Sequence, residues 1–234
     1  MERFTDWNCQ LLPNTHDAEN SAQAVAQALT DLYDRYGLSR FCMMRSYHHR
    51  KEPVSVFLLR QNAPIESLSP LLPREMRLKV SSQTLLLPKL HEVDGLEDLK
   101  TAKDGYLPIS MPLGSYEDWM DEEINRLLYV RRSPLLFTSV ERYAIFYPPE
   151  ILQKLLGIDG AVYQFGYKSL VDPSVRKLIS QLLSRRATVL LGTSLNHAKK
   201  VSLYTMDHYL QIAAQAFSAL EYQRLLYYSH SFWD

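Results

Sequence analysis

Few residues in this sequence stand at spacings that could carry out chemistry. His48 and His49 are adjacent, and adjacent side chains of an extended segment point to opposite faces, so they do not converge on a metal ion. Glu122 and Glu123 are adjacent on a predicted helix and do not form a catalytic carboxylate pair. Glycine-rich phosphate loops and the common hydrolase motifs do not occur. We therefore expect no catalytic residue, no metal site and no cofactor, with an enzyme of dispersed active-site residues as an alternative.

A direct role in nucleic-acid binding is not expected. Lys and Arg total 26 and Asp and Glu total 26, so no net field attracts phosphates. The segment "EILQKLLGIDGAVYQFGYKSL" loosely resembles a helix-turn-helix, but Gly160 and Gly166 would fall in its recognition helix. Each glycine costs a helix about 1 kcal/mol relative to alanine. The alternation after Gly160 suits a strand better.

Composition indicates a globular, cytoplasmic protein. Apolar residues make up 46% of the chain, which is enough for a sizeable core. The start "MERFTDWNCQ" lacks the basic and apolar regions of a signal peptide, and no run of about 20 apolar residues suggests a membrane span. Cys9 and Cys42 match no metal pattern and are expected to be free thiols in a reducing compartment.

Helical and strand patterns are interleaved along the chain, and they predict a single domain over residues 1–234. The predicted fold class is α+β, with a mixed, mainly antiparallel sheet covered by helices. "RFCMMRSY" and "VSVFLLR" predict two strands joined as a hairpin, and "SVERYAIFY" predicts another strand. Residues 62–115 are interrupted by prolines and are predicted to be irregular, as a candidate subdomain boundary. The remaining predictions are helices in residues 20–37, 115–132, 148–157 and 172–186, strands in residues 161–167 and 187–191, and a closing helix.

Two stretches resemble the first and last elements of GAF-type sensory domains: "AVAQALTDLYDRYGLSRFCMMRSY" and "MDHYLQIAAQAFSALEYQRLL". The nearest resemblance is to the ligand-binding domain of LuxR-type acyl-homoserine-lactone receptors. In "GSYEDWMDEEINRLLYVRRSPLLF", Trp119 matches the family's lactone-contacting tryptophan. Glu123 stands where that family has a tyrosine, and Ser133 stands near the place of its aspartate. The resemblance implies a GAF-like core and a ligand site at Trp119, Glu123 and Ser133.

We therefore expect a cytoplasmic, non-enzymatic regulatory protein with a sensory domain that binds a small molecule or a protein, in bacterial transcription regulation. The alternative is an adaptor or structural subunit that uses oppositely charged patches. Residues 91–123 hold ten acids against two lysines, whereas residues 168–200 hold seven bases against Asp172. The expected partners are a small-molecule ligand and a protein partner or second copy, with no membrane contact.

The closing helix carries two apolar rows. Met206, Leu210, Ala213, Phe217 and Leu220 recur at helical spacing and are predicted to cover the sheet. Ile212, Ala216 and Ala219 form a second row of mostly small residues, which we predict to be an interface with a partner or second copy. The aromatic end "YYSHSFWD" is expected to dock on the domain or on a partner.

Overall fold

Seven parallel strands form one sheet in simple chain order, from β1 to β7. The computed structural model describes residues 5–13, 20–101, 105–203 and 205–233. Parallel neighbours need long crossover connections, and helices supply most of them here. The strands are β1 (Thr5–Cys9), β2 (Arg40–Tyr47), β3 (Arg77–Leu85), β4 (Leu107–Ser110), β5 (Leu135–Phe137), β6 (Val162–Gly166) and β7 (Thr188–Gly192).

The first and last strands approach each other, so the sheet is nearly closed into a barrel. Ser194 N donates to Asn8 O at 2.8 Å, and Gln10 N donates to Leu195 O at 2.9 Å. Gly192 permits this approach, because a Cβ at that position would lie 2.5 Å from Asn8 N. A glycine is therefore required at the barrel seam.

Helices surround the barrel, and their apolar faces cover its outer surface. Ser21 caps α1 by accepting from Ala24 N, and Gly37 ends it with φ at 69°. No helix in the described ranges is both long and apolar enough to cross a bilayer. The helices are α1 (Ala22–Tyr36), α2 (Val54–Leu68), α3 (Asp118–Asn125), α4 (Tyr143–Phe146), α5 (Pro149–Leu156), α6 (Pro173–Ser184), α7 (Met206–Ala216) and α8 (Ala219–Ser231), and a π-helical turn follows α3 at Arg126–Val130.

The prediction of a mainly antiparallel α+β sheet is wrong, because every strand pairing is parallel. The predicted hairpin fails at "VSVFLLR", which begins α2 after Pro53. Val54, Phe57, Gln61 and Leu68 are its buried residues, at spacings of one helical face. Helix α2 is thus the crossover between two parallel strands.

Two other predicted segments also differ from the structure. "SVERYAIFY" forms short helical turns, and the strand that precedes it is β5. Residues 62–115, predicted to be irregular, contain the end of α2 and the strands β3 and β4. Pro64 lies within α2 and Pro108 within β4, and the other prolines of this segment lie in connections.

The predicted closing helix is two helices, because α7 ends before Phe217, whose backbone is extended. Ser218 forms a capping box with Glu221 and starts α8 in a new direction. Met206, Ala213 and Phe217 are buried as predicted, whereas Leu220 is 57% exposed. The capping residues Ser218 and Glu221 therefore end the predicted apolar row at Phe217. A pattern of apolar residues alone does not show such a break.

Aromatic residues of the chain end close the amino-terminal end of the barrel. Trp7 Nε1 donates to Ser229 O at 2.9 Å. The Trp7 ring lies 5.1 Å from that of Phe232 and 5.6 Å from that of Trp233. Lys79 Nζ donates to Trp233 O at 2.9 Å. The expected docking of the aromatic end thus takes place on the domain itself.

Candidate functional site

Neutral polar side chains fill the carboxyl end of the barrel. In barrels of parallel strands this end carries the functional site, because the strand ends and their following loops converge there. We call five buried residues the polar floor, and each has 6% or less of its surface exposed. They are Asn8, Gln83, Thr138, Ser139 and Gln164.

Backbone groups fix the direction of the hydrogen bonds in this floor. The backbone N of Ser139 donates to Gln164 Oε1 at 2.9 Å, which identifies that atom as the oxygen of the amide. Asn8 Nδ2 therefore donates to Gln164 Oε1 at 3.1 Å and to Ser139 Oγ at 3.3 Å. Gln164 Nε2 donates to Phe165 O at 2.7 Å. Both side-chain amides are thus held in one orientation.

Gln83 is held from the other side of the floor. Thr138 Oγ1 donates to Ile109 O at 3.2 Å, so it accepts from Gln83 Nε2 at 3.1 Å. Gln83 Nε2 also approaches Ser139 Oγ at 3.4 Å. The side-chain nitrogen of Gln83 therefore points to Thr138 and Ser139 of the polar floor.

Asp6 is buried beside the floor at the barrel seam. Its Oδ1 accepts from Asn8 N at 3.0 Å and from Thr193 N at 2.9 Å, and its Oδ2 accepts from Thr193 Oγ1. Burial nevertheless raises the pKa of Asp6 from 3.8 to about 6. This carboxyl group ties β1 to the end of β7.

A cavity of about 410 Å³, which we call the mouth cavity, opens above the floor at the carboxyl ends of β2, β3 and β4. The β2–α2 connection and α2 supply its charged wall, and Gln83 is its contact with the floor. Its lining consists of Ser46, Tyr47, His48, Lys51, Glu52, Arg60, Gln83, Leu85 and Ser110.

Positive groups outnumber negative ones around the mouth cavity. Lys51 and Arg60 face it together with His48, and Glu52 is the acidic member of the lining. Arg60 pairs with Glu52. The pKa of nearby Arg45 is lowered by burial and then by the charge of Arg60, so the two guanidinium groups are close enough to repel each other. Such an arrangement favours an anionic ligand.

Two further polar residues lie at this end of the barrel. Glu141 Oε2 accepts from Gly166 N at 3.2 Å, at the end of β6, and burial raises the pKa of this carboxyl group. Ser194 Oγ is buried without a hydrogen-bond partner among the described residues. Ser139 and Ser194 both have positive φ, at 54° and 53°. Strained backbone of this kind clusters at functional sites.

A larger cavity of about 700 Å³ lies near the opposite end, beside the residues that precede β5 and β6. Asp121 and Lys154 line it and form an ion pair at 2.7 Å. Size alone would favour this cavity. We favour the mouth cavity, because strand ends converge there and its charges are predominantly of one sign.

The predicted ligand residues lie away from the mouth cavity. Trp119 is partly buried against the core. Glu123 accepts from Lys89 N at 3.0 Å and from His91 N at 2.7 Å, and contacts His91 Nδ1 at 2.7 Å. Ser133 is buried just before β5, and its N donates to Leu127 O at 3.0 Å. The structure does not bring these three residues to the candidate site, and their ligand role stays a prediction.

The predicted interface residues fall on two helices. Ile212 and Ala216 lie on α7, with Ile212 half-buried and Ala216 exposed. Ala219 is exposed in the first turn of α8. The three therefore do not form one continuous helical row, and their interface role also stays a prediction.

Comparison with known proteins places the fold. Neither a protein-family model nor a curated protein sequence matches this chain. A solved chain does match, from the work that describes YwqE from Bacillus subtilis and CpsB from Streptococcus pneumoniae as unique metal-dependent tyrosine phosphatases. The TM-score is 0.63 at 15% sequence identity, and the match covers 94% of this chain and 90% of that one. At this identity the likeness concerns the fold.

These findings correct the identification and the function predicted from sequence. The resemblance to GAF-like and LuxR-type domains is wrong, because the chain has a parallel, nearly closed sheet and the fold of this solved chain. The expected non-enzymatic sensory regulator of transcription and its alternative, an adaptor with oppositely charged patches, are corrected by the same likeness, since the solved chain is described as a phosphatase. Helix α1 followed by β2 resembles the opening helix and strand of GAF-type domains, which explains the error.

The polar floor does not have the chemistry of a metal centre. Transition metals in proteins bind imidazole, thiolate and carboxylate groups with free lone pairs. Among the described residues, no three His, Cys, Asp or Glu side chains lie together as a metal site. Asp6 is the carboxylate next to the floor, and both its oxygens already accept hydrogen bonds. The described residues therefore do not fit the metal that the structural neighbour's description implies.

The floor residues were missed because single polar residues within apolar strands carry no motif. Asn8 lies in "TDWNC", Gln83 in "RLKVSSQTL" and Gln164 in "VYQFG". The usable signal was one buried amide in each of three strands, β1, β3 and β6. It becomes informative only once the strands are known to be parallel, since their carboxyl ends then meet.

Proposed function

We propose that this chain is an enzyme that acts on phosphomonoesters of the tyrosine-phosphate class at the mouth cavity. The observation that carries the proposal is the pair of cationic side chains, Lys51 and Arg60, beside His48 around a cavity at the carboxyl end of a parallel barrel. The fold likeness to described tyrosine phosphatases supports this substrate class.

The binding step follows from charge and geometry. A phosphomonoester carries about −1.5 to −2 charges near neutral pH and three acceptor oxygens. Arg60 offers a planar fork of donors and Lys51 a compact ammonium group, which suit such oxygens. Tyr47 and Leu85 in the same lining give the aryl part of the ester an apolar surface. The volume of about 410 Å³ is within the range of small-molecule sites.

The carboxyl group in the lining of the mouth cavity is Glu52, which pairs with Arg60, whereas Glu141 lies outside the lining at the end of β6. The proton for the leaving oxygen therefore comes from solvent. In the hydrolysis, the oxygen of a water molecule forms the new bond to phosphorus and the bond from phosphorus to the aryl oxygen breaks. The aryl oxygen takes a proton from solvent, and the attacking water releases one to solvent.

Hydrolysis of phosphotyrosine by the whole chain tests the proposal. Arg60→Gln should raise KM about tenfold, as expected for a lost charge-assisted contact, with little change in kcat. Arg142→Gln, at an exposed position, is the matched control. Absence of both turnover and binding in the unmodified protein would refute the proposal.

Location and partners belong to the same proposal. We place the protein in the cytoplasm, which the two buried, unpaired cysteines Cys9 and Cys42 support. A second copy or a protein partner at Ile212, Ala216 and Ala219 is a separate prediction. A native mass measurement on Ala216→Glu tests it, because a buried interface would not accept the charge.

A further inference from the structure

Gln83 presents a hydrogen-bond acceptor to the mouth cavity. The residue lines the cavity although only 6% of its surface is exposed. Its Nε2 donates to Thr138 Oγ1 at 3.1 Å and approaches Ser139 Oγ at 3.4 Å. No donor among the described residues reaches its Oε1. The amide thus has one unused polar atom, and this atom is an oxygen.

The amide cannot turn over to offer its nitrogen instead. Thr138 Oγ1 gives its only hydrogen to Ile109 O at 3.2 Å, so this hydroxyl can only accept from Gln83. Ser139 Oγ already accepts from Asn8 Nδ2 at 3.3 Å. A flipped Gln83 would set its oxygen against Thr138 Oγ1 with no hydrogen between them. The side-chain oxygen of Gln83 is therefore a fixed hydrogen-bond acceptor in the mouth cavity, whose lining also holds Lys51 and Arg60.

We infer that Gln83 makes the mouth cavity selective for a phosphate group that still carries one proton. The P–OH of a phosphomonoester monoanion donates to Gln83 Oε1 while its charged oxygens face Lys51 and Arg60. A sulfate ester has the same shape and charge as the phosphate monoanion but no proton to donate, so once bound it would cut this acceptor off from water and leave it unpaired. The inference rests on the proposed function and specifies the ligand's protonation state.

The charged groups around Gln83 affect the phosphate monoanion and the sulfate monoanion alike. His48, Lys51 and Glu52 face the cavity from the β2–α2 connection, and Arg60 faces it from α2. Arg45 is close to Arg60 and Glu52. The β3 and β4 residues of the lining other than Gln83 are Leu85 and Ser110, which are uncharged. A sulfate ester meets the same charged groups and therefore serves as the internal control at the lower pH.

The test is calorimetric titration of the whole chain with phenyl phosphate and phenyl sulfate. Titrations at about pH 5 and about pH 8 lie on either side of the second phosphate pKa of about 6. At the lower pH we expect phenyl phosphate to bind about tenfold more tightly than phenyl sulfate, as one buried hydrogen bond implies. At the higher pH the phosphate dianion has no P–OH to donate but carries one charge more than the sulfate, so there Gln83→Met should bind phenyl phosphate as tightly as the unmodified protein does.

Variants separate the role of Gln83 from a structural one. Gln83→Met removes the acceptor at similar volume and should abolish the preference at the lower pH, with phenyl sulfate affinity unchanged. Gln23→Met, the same change at an exposed position of α1 outside the lining, should keep the preference. Equal binding of the two esters to the unmodified protein, or a preserved preference in Gln83→Met, would overturn the inference. Binding of neither ester would refute the proposed function itself.

Discussion

At the scale of single residues, Asp6 shows how burial and hydrogen bonding oppose each other. Three donors favour its carboxylate, yet removal from water dominates and raises the pKa from 3.8 to about 6. An acid whose pKa is higher in the folded state binds more protons there than in the unfolded chain. Folding stability contributed by Asp6 is therefore present below about pH 4 and falls as the pH rises to about 6.

Asp6→Asn should flatten this part of the stability profile. Asparagine keeps one oxygen for the Asn8 and Thr193 N–H groups and turns a donor toward Thr193 Oγ1. The contribution removed is roughly 3 kcal/mol between about pH 4 and about pH 6, measured by urea unfolding across that range. Asp34→Asn, at an exposed position, is the control. An unchanged pH dependence in Asp6→Asn would contradict this account.

At the scale of elements, Glu123 holds the segment before β4 against α3. Its carboxylate accepts from Lys89 N and His91 N, and it lies 2.7 Å from His91 Nδ1. Glu123→Gln should lower the free energy of unfolding by about 1–3 kcal/mol, because an amide cannot accept at both oxygens. Glu122→Gln is the matched control, since the side chain of Glu122 is 67% exposed and its change should stay within about 0.5 kcal/mol. Equal effects of the two substitutions would show that Glu123 is not a structural anchor.

The end of α8 acts as an aromatic plug for the barrel. Phe232 packs 5.1 Å from the ring of Trp7 and 5.0 Å from that of Tyr106. Because Phe232 is half-buried, Phe232→Ala should cost about 1–3 kcal/mol in thermal or urea unfolding. Tyr227→Ala, at a residue that is 65% exposed on the same helix, should change stability by no more than about 0.5 kcal/mol. A neutral effect at Phe232 would mean that the plug does not stabilise the barrel.

At the scale of the whole molecule, local elements were predictable and their assembly was not. Helix α1 carried its cap at Ser21 and its stop at Gly37, and α6 carried Asp172 before Pro173. Whether neighbouring strands run parallel depends on what connects them. The strand direction was mispredicted at "VSVFLLR", residues 54–60, where β-branched and aromatic residues predicted a strand. Packing on the barrel makes this segment the start of helix α2 (Val54–Leu68) instead.

The candidate site could not be predicted for the same reason. Asn8, Gln83 and Gln164 lie far apart in sequence and meet only because their strands are parallel and nearly closed. The basic residues of "HHRKEP" were visible in the sequence, but as a hairpin loop they had no cavity to line. In the structure, the same loop forms one wall of the mouth cavity.

The whole barrel should be stable without a bound metal, because the polar floor satisfies its own hydrogen bonds. Protein purified without chelators should carry far less than one manganese, iron or zinc ion per chain by elemental analysis. Its melting temperature should be the same with a chelator and with added manganese. One tightly bound transition-metal ion per chain, with a rise in melting temperature on adding that metal, would contradict the conclusion that the polar floor is not a metal site.

In the proposed reaction, cationic side chains of the mouth cavity bind a phosphomonoester. This binding is tested by calorimetric titration of phosphotyrosine into the whole chain in the presence of a chelator. We expect saturable binding of one ligand per chain, weakened about tenfold or more by Arg60→Gln and again by Lys51→Gln. Binding that requires added metal, or binding that these two substitutions leave unchanged, would contradict it.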